Sequence, residues 1–499
     1  MPVNKDFYTL AGSSGQSTGY TIDQSIRFAR ASNTSGTYMQ RDFSSAGDRT
    51  SWTWSCWFKL GSLNNMTPAS NIYYQFFACD NATNDAGRGS FHIIADSGVA
   101  SAIAFQFQAH STTFMRTNRE FRDSSAWYHL VLVWDSDNAV ANDRARLYIN
   151  GTRETDFAAS SNPSSGQEIG INLGEIHRLG ISYNISGSAV NYPFDGYMAD
   201  IHFLDGYSYG PEYFGEFDSN DIWIPKEYEG SYGSKGFFID GRDSSDLGDD
   251  ESGNGNDFST TNFAAHDQAL DTPTNSFCTF QPNMSNNSSF EFTEANLKID
   301  MNTNKSWYHG VGTTMSMSSG KWYWESYWNS GDIYSIWGIL DTAELYALTG
   351  YQSSTTIYNF NFNGIQPNTN GTNDQYRQGA SVVDTNQAGA PGGIWQFALD
   401  MDNRKMWLGY NGTYAGSGNP GAGSNEMWNS TYIASDSYTP INLGYQISGH
   451  TILTYNFGQE GTFAGATTAG GNSDGNGIGN FKYSVPSGFL ALCTLNLGS

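Results

Sequence analysis

The sequence predicts an all-β protein of two β-sandwich domains joined by an acidic linker. Two stretches, "GKWYWESYW" at Gly320 to Trp328 and "IWQFALDMDNRKMWLGYNG" at Ile394 to Gly412, alternate side chains with period two, the spacing of half-buried strands. Composition agrees: 56 Gly, 30 Tyr and 31 Phe with only 15% charged residues suit pleated strands joined by Gly, Asn, Ser and Asp turns. Long amphipathic helices, sustained heptads and a repeat of fixed period are all missing, which disfavours a coiled-coil stalk or a parallel β-helix. At 499 residues the chain exceeds one core, and two all-β domains of about 200 residues each fit it.

Taken in order, residues 1–24 are polar and Gly/Ser-rich and are expected to form an attachment arm. The first sandwich is expected over residues 25–236. In "SWTWSCWFKL", Trp52, Trp54, Cys56 and Phe58 share one face and Thr53, Ser55, Trp57 and Lys59 the other. Trp57 is the unexpected aromatic there, and it packs under a loop or serves as a ligand-binding residue. "WYHLVLVWD" at Trp127 to Asp135 is apolar on both faces, as a strand covered on both sides would be, and encloses His129 as a buried, satisfied imidazole. "ARLYINGT" turns at Asn150-Gly151. "PFDGYMADIHFLDG" supplies a closing strand with Tyr197, Ala199, Ile201 and Phe203 on one face and Asp200 with His202 on the other. This order of a W-x-H-V-like strand, an L-Y-I-N-G hairpin and an F-x-G-x-x-x-D-I strand resembles the laminin-G or concanavalin-like jelly roll over about Ser25 to Tyr213.

Residues 237–288 are acidic and rich in Gly, Asn and Ser, which reads as the linker. Its carboxylates Asp240, Asp243, Asp246, Asp249 and Asp257 are the candidate metal ligands, because Ca²⁺ favours several flexible oxygen donors, although the offsets do not match an EF-hand. A solvated acidic linker is the competing reading. The string "DDESGNGNDF" followed by "DTPTN" resembles connectors in structural proteins of tailed, especially marine, bacteriophages, which combine the two modules seen here. The resemblance implies a protein of the virion surface.

The second sandwich is expected over residues 289–499. "GKWYWES", "FALDMDNRKMWLGYNG", "INLGYQISG", "TYNFGQ" and "YSVPSGFLAL" occur in the order of the SPRY family, which they resemble over about Ser289 to Leu497. SPRY-type domains bind through loops at one end of the sandwich. The resemblance therefore draws attention to the insert Tyr358 to Gly393, whose Tyr376, Arg377 and Gln378 are the ligand-binding candidates. Amide side chains with an aromatic ring suit a glycan, and a solvated loop resting on a neighbouring subunit is the alternative.

With 49 acidic against 24 basic residues, the formal charge of −25 disfavours nucleic acid as a partner. No run of about eighteen apolar residues and no secretory signal is read, so neither membrane nor export is expected. Cys56, Cys79, Cys278 and Cys493 lack zinc spacing, and Cys56 reads as a buried thiol. Enzyme patterns fail on context. "GYSYG" at Gly206 to Gly210 has Pro211 and no parallel sheet behind it. "EFDSND" at Glu216 to Asp221 ends in the wrong acid for a jelly-roll glucanase, and "SMSSGKW" lacks the rest of a phosphate loop. The expectation is a non-enzymatic virion structural protein, first a tail-fibre or receptor-binding adhesin for host-surface glycans. A capsid decoration or head-fibre protein and a glycosidase are the alternatives. Docking to other virion proteins through the N-terminal arm and assembly as a homo-oligomer, a trimer by the logic of multivalency, complete the reading.

Overall fold

The computed structural model describes residues 19–32, 34–61, 71–80, 85–96, 103–183, 190–282, 290–302, 309–331, 335–349, 361–366, 375–378, 381–384, 389–444 and 450–497. The chain is all-β and divides into two compact units that meet between Thr274 and Asn275.

In the first unit two eight-stranded antiparallel sheets face each other. One runs in the order Thr152–Arg153, Ala145–Ile149, Tyr128–Asp135, Ser51–Leu60, Gly196–Asp205, Ser25–Phe28 and Gln268–Ala269, with Phe237–Ile239 also pairing to Gly196–Asp205. The other runs Phe157–Ser160, Thr113–Glu120, Ile103–Gln108, Arg88–Ala95, Ile72–Asp80, Ile176–Leu179, Tyr38–Asp42 and Ser259–Thr261. Between them lies an aromatic core in which Trp52 stacks on Trp134 with centroids 6.0 Å apart, and Trp54 meets Phe91 edge-on at 4.8 Å. The Asn150-Gly151 turn has both residues at positive φ, 46° and 74°, the geometry a two-residue hairpin needs.

The alternation expected of the closing strand breaks at Asp200. This residue has φ 45° and sits in a bulge where the register against Ser51–Leu60 slips between Ala199 and His202. One extra residue reverses the phase. Met198, Ile201 and Phe203 therefore enter the core, while Ala199 and Tyr197 lie on the outer face against Trp57 and Trp127.

The expected linker 237–288 is corrected by the structure. Its first part closes the first unit: Phe237 pairs with Phe203, Ser259 with Gln40 and Ala269 with Ser25. Phe237, Ile239, Leu247 and Phe258 are buried in the core, and Arg27 reaches Asp267 at 3.3 Å within the protein. The segment looked empty because its apolar residues stand singly among polar ones. Its last described part belongs to the second unit, where Cys278 N–H donates to Leu492 O and Phe280 N–H to Asn296 O. Burying the four apolar side chains stabilises the first unit by roughly 6–12 kcal/mol, comparable to the whole net stability of a domain. A fragment ending at residue 236 is accordingly expected to lose its near-ultraviolet circular dichroism and cooperative melting, whereas one ending at Thr274 keeps both.

The second unit repeats the architecture. One sheet runs Phe290–Thr293, Lys298–Asn302, His450–Asn456, Lys321–Ser330, Ile394–Asp400, Lys405–Tyr410 and Thr413–Tyr414, with Leu490–Ala491 parallel to Lys321–Ser330. Its partner runs His309–Gly312, Tyr438–Gly444, Ser335–Asp341, Phe362–Gln366, Gln375–Gln378 and Ser381–Asp384. Trp322, Trp324 and Trp328 all enter the core, Trp324 lying parallel to Phe397 at 5.1 Å. The opposite face of the same strand is also covered. Glu325 is fully buried there, accepting from the Tyr323 hydroxyl at 2.8 Å and from Lys482 and Tyr483 N–H, each at 2.9 Å. Asn411-Gly412 forms the second tight turn, at φ 47° and 87°. Around Asp402-Asn403 the positive φ falls instead on Arg404, at 57°.

Candidate functional site

Of the candidate ligand residues, Trp57 and Asp240 are held inside the fold, while Asp243, Asp246 and Asp257 are exposed. Trp57 is only 4% exposed, so it is no exposed ligand-binding residue. It stacks on His129 at 4.6 Å beneath Tyr20, Ile22 and Trp223, so the described end of the expected N-terminal arm, Gly19 onward, packs on the sheet, while residues 1–18 lie outside the described residues. Gly151 makes room for this roof, because a Cβ there would stand 2.3 Å from the Trp223 ring. His129 Nδ1 accepts from Trp223 Nε1–H at 2.9 Å, so Nε2–H donates to Ser55 Oγ at 2.8 Å. Burial, with His202 nearby, pushes His129 down to about 3. The ring is neutral at ordinary pH and its nitrogens are committed.

Asp200 and His202, expected on one face, are separated by the bulge. His202 lies flat on Phe238 at 4.3 Å, bonds the Tyr232 hydroxyl at 3.0 Å, and is pushed down to about 3 by burial. Burial raises Asp200 to about 7 against the opposing hydrogen bond from Tyr20. Lys59, on the same outer face, pairs with Asp271 at 2.8 Å, and Trp127 Nε1–H donates to the other oxygen of that carboxylate at 3.0 Å.

The acidic segment does not gather into a metal centre. Among the described residues no group of three or more His, Cys, Asp or Glu side chains could hold a metal ion. Asp243 closes a turn by accepting from Ser245 N–H and Oγ–H, Asp246 accepts from Gly248 N–H, and Asp257 accepts from Asp250 N–H. Asp240 accepts from Arg242 N–H and pairs with its guanidinium at 3.2 Å. Asp249 is raised by partial desolvation and by the charges of Asp257 and Asp246. The calcium expectation thus meets single turn-forming carboxylates. The four cysteines are buried thiols.

The insert Tyr358 to Gly393 is not one long loop. Gln375–Gln378 pairs with Phe362–Gln366 on one side and Ser381–Asp384 on the other, so Tyr376, Arg377 and Gln378 occupy a strand; their side chains lie outside the described residues. Glu216 stands on a small hairpin opposite Ile224, and Asp218 closes its turn by accepting from Asn220 and Ile222 N–H.

The sequence reading missed an aromatic ledge on that same stretch. Tyr209 and Tyr213 stack at 4.2 Å and 10°, Tyr207 adds a third ring at 5.4 Å from Tyr209, and Phe217 stands edge-on to Trp223 at 4.9 Å. Tyr213 and Phe217 are 42% and 53% exposed, two of five large apolar side chains so exposed among the described residues. Exposed Glu212 and Glu216 flank them. Single exposed aromatics are ordinary, but stacked rings beside carboxylates have the chemistry to meet the C–H face of a sugar and to accept from its hydroxyls. The signal was the spacing of Tyr207, Tyr209, Tyr213 and Phe217 in "GYSYGPEYFGEF", outside any strand pattern.

Residues 32–207 match the family model described as the Concanavalin A-like lectin/glucanases superfamily, so the first unit has a lectin-type jelly-roll fold. No curated protein matches the sequence. Similar solved structures include a native heptameric SAP-like pentraxin from Limulus polyphemus, at 16% identity and TM-score 0.29, covering 38% of this chain and 78% of that one. The SPRY domain of human HERC1 is 11% identical at TM-score 0.22, covering 32% and 87%. Tailspike protein 2 from Escherichia coli O157:H7 bacteriophage CAB120 is 14% identical at TM-score 0.25, covering 37% of this chain and 23% of that one.

Proposed function

We propose that the chain is a non-enzymatic structural protein of the surface of a tailed-phage particle, and that it attaches the particle to host-surface glycans. The aromatics of one short stretch, the stacked Tyr209–Tyr213 pair and Phe217 beside Trp223, with Tyr213 and Phe217 exposed on a lectin-type sandwich, are the observation that carries the recognition role. The viral setting rests on the resemblance of "DDESGNGNDF" and "DTPTN" to phage connectors. Glu212, Glu216 and a charge of −25 favour neutral over anionic glycans. Assembly into a trimer would let weak contacts add.

Two experiments test this reading. Tyr213→Ala with Phe217→Ala is expected to weaken binding to isolated host polysaccharide by about ten-fold or more, at about 1 kcal/mol per stacking ring, with an unchanged melting temperature. Immunogold labelling of purified particles is expected at the tail. Gold scattered over the head would instead make the chain a capsid decoration protein, and reducing sugar released by the wild type and lost in Glu216→Gln would make it a glycosidase.

A further inference from the structure

We infer that the first unit carries a second carbohydrate site, apart from the ledge: a cleft between the two sheet edges that takes one or two uncharged sugar rings. The inference rests on the glycan-binding reading above. Where Thr152–Arg153 ends one sheet and Phe157–Ser160 ends the other, the edges leave a cleft of about 580 Å³, within the roughly 300–1,000 Å³ of small-molecule sites. Its apolar lining includes Leu147, Phe157 and Val140, and Val140, at 55%, is the most exposed large apolar side chain among the described residues.

The polar lining selects the ligand. Asn162 Nδ2–H donates to Asn142 Oδ1 at 2.7 Å across the mouth, which leaves Asn142 Nδ2 as a donor and Asn162 Oδ1 as an acceptor, both on exposed side chains. Adjacent sugar hydroxyls, one accepting and one donating, complement that pair. Of the charged lining residues, Arg153 is paired with Asp143 at 2.7 Å, Glu154 with Arg119 at 2.7 Å, and Arg146 with Asp135 at 3.9 Å while it also donates to Ser208 O at 3.2 Å, so each charge already has a partner. A uronate or sialate would find no free cation there, and a cationic ligand no free carboxylate. The walls are braced before any ligand arrives: Arg144 Nη1–H donates to Pro163 O at 3.1 Å, and Ser161 N–H to Phe114 O at 3.0 Å. Such a site loses little conformational entropy on binding.

The test is calorimetric titration of the full chain with neutral di- to tetrasaccharides of glucose, galactose and mannose, and with uronate-containing and sialylated counterparts. The inference expects a neutral oligosaccharide to bind, and Asn142→Ala/Asn162→Ala to weaken it at least ten-fold. Val140→Asp, which leaves the amide bridge in place, is expected to do the same with an unchanged melting temperature. Equal binding by wild type and both variants, or tighter binding of the charged set, overturns the cleft. Binding of none of the oligosaccharides also overturns it. Intact host polysaccharide then separates the two readings, since retention of polysaccharide leaves the adhesin standing and its loss removes both.

Discussion

Replacing Asp271 by alanine is expected to destabilise the first unit by about 3–5 kcal/mol. The change takes from Lys59, whose side chain is 2% exposed, the carboxylate 2.8 Å from its ammonium. It also removes the acceptor of the Trp127 indole N–H. The expected cost is that of a buried charge losing a carboxylate partner, which exceeds the net worth of the pair. The double replacement Lys59→Met/Asp271→Leu is therefore expected to recover most of the loss. Chemical denaturation of wild type, single and double variants measures all three, and a double variant no better than Asp271→Ala would show that backbone anchoring, not charge pairing, is what Asp271 supplies.

The second large effect lies in the other unit. Burial pushes the Glu325 carboxyl up to about 7, although Lys482 and Tyr483 N–H and the Tyr323 hydroxyl donate to it and pull it down. Unfolded, the group titrates near 4.5, so between about 4.5 and 7 the folded state holds a proton that the unfolded state has lost. The unit accordingly loses stability as pH rises through that window and changes little from this source above it. Asp200, raised to about 7, acts in the same direction in the first unit. Glu325→Ala takes the acceptor from Lys482 and Tyr483 N–H, the Tyr323 hydroxyl and Asn456 Nδ2–H, and is expected to cost about 3 kcal/mol or more. Glu325→Gln sets an amide N–H₂ against those donors, so it also destabilises, while flattening the pH dependence between 4.5 and 7. Melting curves from pH 4.5 to 8 test this, and an unchanged slope in Glu325→Gln would assign the dependence to other groups.

Strands whose periodicity and turns are both explicit were legible in the sequence. The inner faces of Ser51–Leu60 and Lys321–Ser330 and the Asn150-Gly151 and Asn411-Gly412 turns follow from alternation and from residues that tolerate positive φ. The closing strand was misread from Asp200 toward its start, because a bulge adds a residue without a compositional mark. Residues 237–274 were misread because Phe237, Ile239, Leu247 and Phe258 are spaced too widely for a period, yet each fills a core position. Trp57 and Lys59 look like surface residues on an alternating strand, and only the roof built by distant Tyr20, Trp127, Trp223 and Asp271 buries them. The cleft arises from contacts among segments whose sequences say nothing of each other, whereas the aromatics of residues 207–217 stand in one stretch and were passed over because they follow no strand period.

The pairing of Ser25 with Ala269 has a mechanical consequence. The first strand begins and the last strand ends at one rung of an antiparallel ladder, with Ser25 Oγ–H also donating to Asp271 O at 2.6 Å. Tension applied through residues 24 and 272 therefore loads these bonds one after another from the open end and does not share the force among them. The Lys59–Asp271 clasp sits beside the first bond to be strained, so the force at which this module begins to peel is set by that clasp more than by the aromatic core behind it.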